Sequence, residues 1–469
     1  MSPLPCSLLL LILHTVNQAP AGTQLNVRLT TTIGSYATKV GTPVSAVLIA
    51  PSMANGRIVL PVGSTLSGKV KMVRRVGLGF MHETAALDLQ FNQVTLEGGE
   101  QIPLSVQLTD VDNARESVKP NGRIQGLRAT NSPCYRVSGY IRRLVDLDYF
   151  HARLATWAVK SIITQLPEPE IYYPAGSELT LKLTEPLRSN RTFAPETDLA
   201  DTAFREELPS IVADMPPRLE TAPQFRPADI TNVLLIGSRQ QIAAAFLAAG
   251  WVQPHPPTLL HGIWLIRATS ESHGYLNSPM TPLALNGSAA DMSWEKSLND
   301  VQKRHHIRLW HQTGDWHGQE MWLGAATRDV SFAYLRPGQK FAHQIEANID
   351  RERDKVANDL IFTNCANRLD SVERPDVPRV AHNGTGDRMT TDTRMVVIQL
   401  NDCQAPRQTE AEDSQLPVHG SGLQRFARRE VLITRNDALR DNLAWRTFEV
   451  AHWIANYIGE RRRLNTASE

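Results

Sequence analysis

Four cysteines in 469 residues are too few for a disulfide scaffold, and none are spaced closely enough for a structural zinc site. The chain also lacks a surplus of either charge. Its 49 basic and 48 acidic residues leave a net charge of +1, which excludes nucleic acid as a main partner held by long-range attraction. Past the first residues no apolar run approaches the roughly 20 residues that a bilayer-spanning helix needs, so no transmembrane helix is expected in the mature chain. There is no H-E-x-x-H, no P-loop and no G-x-G-x-x-G, and hence no expected cofactor or metal. What is present, 42% hydrophobic and 21% charged residues, is the composition of a folded globular chain. Its length predicts two or three domains.

Ser7 to Val16 is a short apolar core followed by small residues ending at Ala21. It reads as an export signal over 1–21, although no Lys or Arg precedes it; a misplaced start is the alternative. Export would place the chain in a periplasmic or extracellular space. Cys134, Cys365 and Cys403 would remain, leaving room for one disulfide, Cys365 with Cys403.

Residues 22–188 read as β. Pro20-Ala-Gly-Thr-Gln-Leu, Pro61-Val-Gly-Ser-Thr-Leu and Pro174-Ala-Gly-Ser-Glu-Leu are copies of one turn, each leading into an alternating strand. Pro fixes the turn, Gly takes the unusual dihedral, and Leu is the first inward residue. The pattern predicts a β-barrel or sandwich, interrupted by a helical insertion at about 138–165 in which Leu147, Phe150, Leu154 and Trp157 recur at helical spacing. That helix reads as lying on its own barrel, with docking on a membrane or partner as the alternative. The turn repeat and the helical excursion resemble the C-terminal barrel of TrbI-type conjugal-transfer scaffold proteins, over residues 20 to 188. The long membrane-spanning, proline-rich arm of those scaffolds is missing, so the resemblance does not imply a transfer channel.

Residues 189–228, acidic and rich in proline, read as a linker with at most one short helix. Val233 to Ile236 is a buried-strand run, and Ser238 caps a helix carrying Ile242 and Phe246. Ser238 and Arg239, at the strand-to-helix turn, could receive an anion; a plain turn is the simpler reading. Leu259 to Thr269 reads as a second helix, and Tyr275 to Leu285 as extended. A helix is also expected from Asp350 toward Asn364, its alternating charges facing water. Residues 403–435 read as a polar loop. The segment 436–469 reads as a terminal helix with Leu439, Leu443, Val450 and Ile454 on one stripe.

V-L-L-I-G-S-R, R-H-H-I-R-L-W from Arg304, W-L-G-A-A-T-R-D ending at Asp329, the passage around His343, I-D-R-E-R-D and D-T-R-M-V-V-I-Q-L together resemble, in that order, the LssY C-terminal domain. The match spans residues 229–402. Members of that family occur as secreted proteins and fused to membrane proteins, so the resemblance implies an envelope context and supplies no reaction. Leu283 to Ser288 departs from the family's usual Tyr-Leu-Phe-Gly-Arg run, and His343 stands alone where two adjacent histidines are common.

Chemistry concentrates between Arg304 and Asp329. As a strand, Arg304 to His311 puts His306, Arg308 and Trp310 on one face, lining a surface or cleft, and Ile307 and Leu309 on the other. Met321 to Ala326 is the partner strand across a turn at 311–318. His306, Arg308, Arg328, Asp329 and His343 are the group that phosphoester chemistry would use: Arg as bidentate donor, His as nucleophile or acid, Asp to orient it. The same residues also read as structural salt bridges and hydrogen-bonded rim histidines. Ser238, Arg239 and Trp310 are weaker ligand-binding candidates. The spacing of His305, His306, His311, Asp315 and His317 matches no metal framework.

The expected architecture is a two-domain α+β chain, an interrupted barrel or sandwich followed by an α/β-type domain. The expected function is an exported envelope module that binds an anionic small molecule or lipid headgroup, or a peripheral envelope or protein partner. A phosphoester or lipid-phosphate hydrolase is the alternative.

Overall fold

The computed structural model describes residues 17–54, 57–77, 84–128, 167–189, 202–221, 224–333 and 342–403, with scattered residues beyond them, including parts of 422–432. The apolar core of the expected leader, the helical insertion at 138–165 and, Ile454 apart, the terminal helix at 436–469 lie outside the described residues.

Three copies of one turn organise the first half. Thr23, Ser64 and Ser177 each donate a side-chain hydrogen bond of 2.7 Å to the carbonyl of Pro20, Pro61 and Pro174. Gly22, Gly63 and Gly176 take φ of 93°, 86° and 95°, a region closed to most side chains. Leu25, Leu66 and Leu179 then turn into the core. These turns feed a sheet ordered Val106–Val111, Glu178–Leu183, Gln24–Leu29, Pro43–Leu48, Thr65–Arg74, Ala86–Thr95, Ile124–Gln125, Ser117–Val118. Val106–Val111 also lies against Ala86–Thr95 and Ser117–Val118, so the sheet nearly closes into a barrel around one aliphatic core. The folded body begins ahead of residue 22. Asn17–Ala19 pairs with Leu187–Ser189, and Ala19 is fully buried.

The second half is built on a mixed sheet ordered Met292–Lys296, Arg304–Trp316, Gln319–Ala333, Val233–Ile236, Arg394–Leu400, Ala366–Glu373, with Ala342–Ile345 added beside Gln319–Ala333. One face packs helices α2 (Arg239–Ala248) and α4 (Asp350–Phe362), burying Ile242, Phe246, Ile307, Leu309, Val356 and Leu360. The other is covered by α1 (Thr202–Ala213), whose Phe204, Leu208 and Val212 meet Trp310, Trp316 and Leu323. Ser238 caps α2 through a full capping box with Gln241. Helix α3 (Leu259–Glu271) lies outside both layers and buries only Ala268 and Glu271. Cys365 and Cys403 form a disulfide.

Four expectations are corrected. From Thr202 on, the described residues of the expected linker 189–228 are not a linker: α1 and the strands Arg218–Thr221 and Pro227–Ile230 are built into the second half because their apolar side chains complete its core. The strand begun at Arg304 runs to Trp316, and the hairpin closes in a tight turn at His317 and Gly318, with φ of 50° and 75°. The charged start of α4 is a solvated face only in part: Arg351 and Asp354 are exposed, while Glu352 and Arg353 are buried in ion pairs. Nor is 403–435 only a polar loop. Part of 422–432 is helical, Leu432 enters the barrel core, and Arg428 pairs with the buried Glu170 at 2.5 Å.

Candidate functional site

The hairpin of Arg304–Trp316 and Gln319–Ala333 sends alternate side chains to opposite faces, and its polar residues therefore form two separate clusters. Register fixes the membership. Arg304 faces Asp329, His306 faces Thr327, and Glu295 on the neighbouring strand faces His306. These form the cluster on the α1 side.

There, the Arg304 guanidinium donates to Asp329 Oδ2 and Glu295 Oε2, both at 2.8 Å, and to Ser278. His306 uses Nε2 on Thr327 Oγ1 at 2.8 Å, while its Nδ1 stands 3.8 Å from Asp329. His343 reaches the same carboxylate oxygen from the edge strand, with Nδ1 at 3.3 Å. Arg308 donates to the Thr281 carbonyl at 2.9 Å and lies 3.6 Å from Asp229. His306 Nδ1, His343 Nδ1 and Arg308 Nη1 have no hydrogen-bond partner among the described residues.

Burial governs the protonation of this cluster. It pushes His306 well below its ordinary range, and His343 down to about 4 against the pull of Asp329. It lifts Glu295 up to about 8 despite the facing Arg304. Burial also opposes charge on Asp329, yet His306, His343 and Arg304 together hold that carboxyl well below the carboxylate range. Because both imidazoles are neutral near pH 7, Arg304 is the standing cation that keeps Asp329 ionised. Among the described residues no group of three His, Cys, Asp or Glu is placed to hold a metal ion.

The second cluster faces the barrel. His305 sits between two carboxylates, with Nδ1 2.6 Å from Glu352 and Nε2 2.6 Å from Asp112, the latter contributed by the first half. Arg328 Nη2 also donates to Asp112 at 2.6 Å. Trp251 tilts against the His305 ring. A further buried knot lies alongside: Glu178 of the barrel receives Arg28, Lys296 and Lys355 at 2.8, 2.6 and 3.0 Å, with Asp359 opposite. Burial works against the His305 imidazolium, but Asp112 and Glu352 outweigh it and push the group up to about 9.

That shift carries a pH prediction. With the folded value raised above the unfolded 6.5, the His305 contribution is complete below about pH 6.5 and is lost as pH rises through 9. Unfolding free energy should therefore fall between pH 6.5 and 9.5 by on the order of a few kcal/mol. In His305→Gln the slope should flatten. Equal slopes in the two proteins, measured by urea denaturation, would refute the assignment.

Of the five residues expected to act together, His306, Asp329 and His343 converge, and Arg308 stands beside them. Arg328 does not, because it points through the sheet to Asp112. Trp310 is core, donating to the Ser288 carbonyl, and its face is closed by α1 instead of lining a cleft. The Ser238 hydroxyl is spent on its cap, and Arg239 lies exposed over the Trp322 ring. The sequence reading missed Arg304, although it shares the phase of His306 and Arg308. It also missed Glu295 and Asp229. Asp112 and Glu178 had no local signal.

Residues 212–395 match the family model described as LssY C-terminus. The match reaches into the segment that composition alone assigned to a linker. No curated protein matches the chain. Among solved structures, ComB10 of the Com Type IV secretion system of Helicobacter pylori is similar over 37% of this chain and 94% of that chain, at 11% identity and a TM-score of 0.21.

Proposed function

We propose that this protein, an LssY C-terminal domain fastened to a barrel-like sheet, is an exported envelope component whose second half acts as an interaction module and not as a catalyst. The Cys365–Cys403 disulfide supports export, because such bonds persist in oxidising compartments. Among the described residues no helix is long and apolar enough to cross a membrane.

The observation that carries the non-catalytic reading is that each arginine of the expected site already has a partner. Arg304 is taken by Asp329 and Glu295, Arg328 by Asp112, and Arg308 by Thr281 with Asp229 near. A phosphate would have to displace these partners inside a buried cluster, leaving carboxylates without their cations. Neutral imidazoles beside an ionised Asp329 also offer an anion little attraction.

One feature favours the hydrolase as a second reading. His343 is 15% exposed and has Asp329 3.3 Å from its Nδ1, the relation of a base to the carboxylate that orients it. Turnover of phosphatidic acid and of a generic phosphodiester separates the two. We expect the full chain and His343→Ala to be equally inactive. Turnover by the full chain that disappears in a folded His343→Ala protein would establish the hydrolase.

A further inference from the structure

Helix α3 is apolar where it faces water. Leu259, Leu260, Ile263, Trp264 and Ile266 are 84%, 54%, 53%, 44% and 70% exposed, a grouped apolar surface of the kind that marks an interaction site. From Trp251 to Ile266 the sequence contains no Asp, Glu, Lys or Arg. Arg267 follows, exposed and paired with Glu271 at 2.8 Å. Around Trp264 lie rings with polar ends. His255 stacks on His261 with centroids 4.5 Å apart, and Tyr275 Oη meets His255 Nδ1 at 2.9 Å.

We propose that α3 is an in-plane anchor that docks this protein on a lipid surface, with Leu259, Leu260, Ile263 and Ile266 entering the acyl boundary. Trp264, Tyr275 and the two histidines then sit at headgroup depth, where an apolar body and a polar tip are both satisfied. Arg267 borders the apolar face at the level of lipid phosphates. The helix is too short and too polar at its C-terminal end to span a bilayer, and its buried residues, Ala268 and Glu271, lie at that end. A second copy of the chain fits this face less well. An apolar patch on one short helix face is on the order of a few hundred Å², short of the approximately 800 Å² per partner that a stable interface uses. Their near-complete lack of charge would also give a protein partner no register.

This inference names the partner of the proposed interaction module and rests on that reading. Its test is flotation of the full chain with phosphatidylcholine vesicles, with and without phosphatidylglycerol, at low and high salt. We expect the chain to float with both and to lose little binding in salt, because the contact is apolar. Ile263→Gln with Ile266→Gln should cut partitioning by more than about tenfold, with unchanged thermal unfolding since both side chains are exposed. A wild-type chain that stays at the bottom of the gradient overturns the inference, as does a double variant that floats equally well. So does a wild-type dimer that fails to float and is dispersed by the same exchanges. Failure here leaves the non-catalytic reading standing, while phosphoester turnover would remove that reading whatever the flotation result.

Discussion

Glu178→Gln is expected to destabilise the protein by about 3–5 kcal/mol. Glu178 is nearly inaccessible and lies against Arg28, Lys296 and Lys355, so its loss leaves three buried cations with Asp359 as their main counter-charge. Gln keeps the shape and removes only the charge, which makes the exchange a test of electrostatics and not of packing. Because Glu178 and Arg28 belong to the barrel and the other groups to the second half, damage should appear at their junction. Urea denaturation should show a lower midpoint, and amide exchange should accelerate first around Gln24–Leu29 and α4. Burial opposes charge on Glu178, but Lys296, Lys355 and Arg28 hold its carboxyl well below the ordinary range. Its contribution is therefore present above about pH 4.5 and is lost as pH falls toward the depressed folded value, so the penalty of the exchange should shrink in acid. A variant within about 1 kcal/mol of wild type at pH 7 would show that the knot is stabilised some other way.

Arg304→Met is expected to cost a similar amount, about 3–5 kcal/mol. The exchange strips the ionised Asp329 of its cation and leaves Glu295 and Ser278 without their donor, all inside the sheet's α1 face. Met fills much of the volume, so a cavity contributes little. The informative measurement is the pair. In Arg304→Met with Asp329→Asn the buried charge is gone, and at least half of the lost stability should return. If the double variant falls by the sum of the single losses, the two side chains are not coupled and the cluster is not organised around this pair. His343 provides a local reading of the same event. With Arg304 gone, the Asp329 carboxylate should claim a proton for His343, whose NMR titration should move up from about 4.

The barrel's turns were legible because each is a local event. Within six residues, Pro sets one dihedral, Gly supplies a positive φ, and the hydroxyl of Thr23, Ser64 or Ser177 closes back on the proline carbonyl. The hairpin of the second half was legible for the same reason, since a period of two tells which side chains share a face. The LssY C-terminus match over 212–395 likewise follows from ordered sequence motifs. Strand phase even selected His306 and Arg308 as companions, and Asp329 and His343 do join them.

Other features were decided at long range. The face of His306 and Trp310 looked open until α1, from a stretch with little periodicity, was laid over it. Arg328 and Asp329 adjoin in sequence yet serve opposite faces, and only the position of the barrel gives Arg328 its partner Asp112. His305, which phase assigned to an apolar face, is pushed toward its charged form because Asp112 and Glu352 arrive from segments 193 and 47 residues away. The sequence by itself determined the turns, the alternation and the family-model match over 212–395, since these depend on neighbours along the chain. Tertiary structure alone decided which charges are buried together, and hence their protonation, because electrostatic energy depends on distance and desolvation, which order along the chain does not encode.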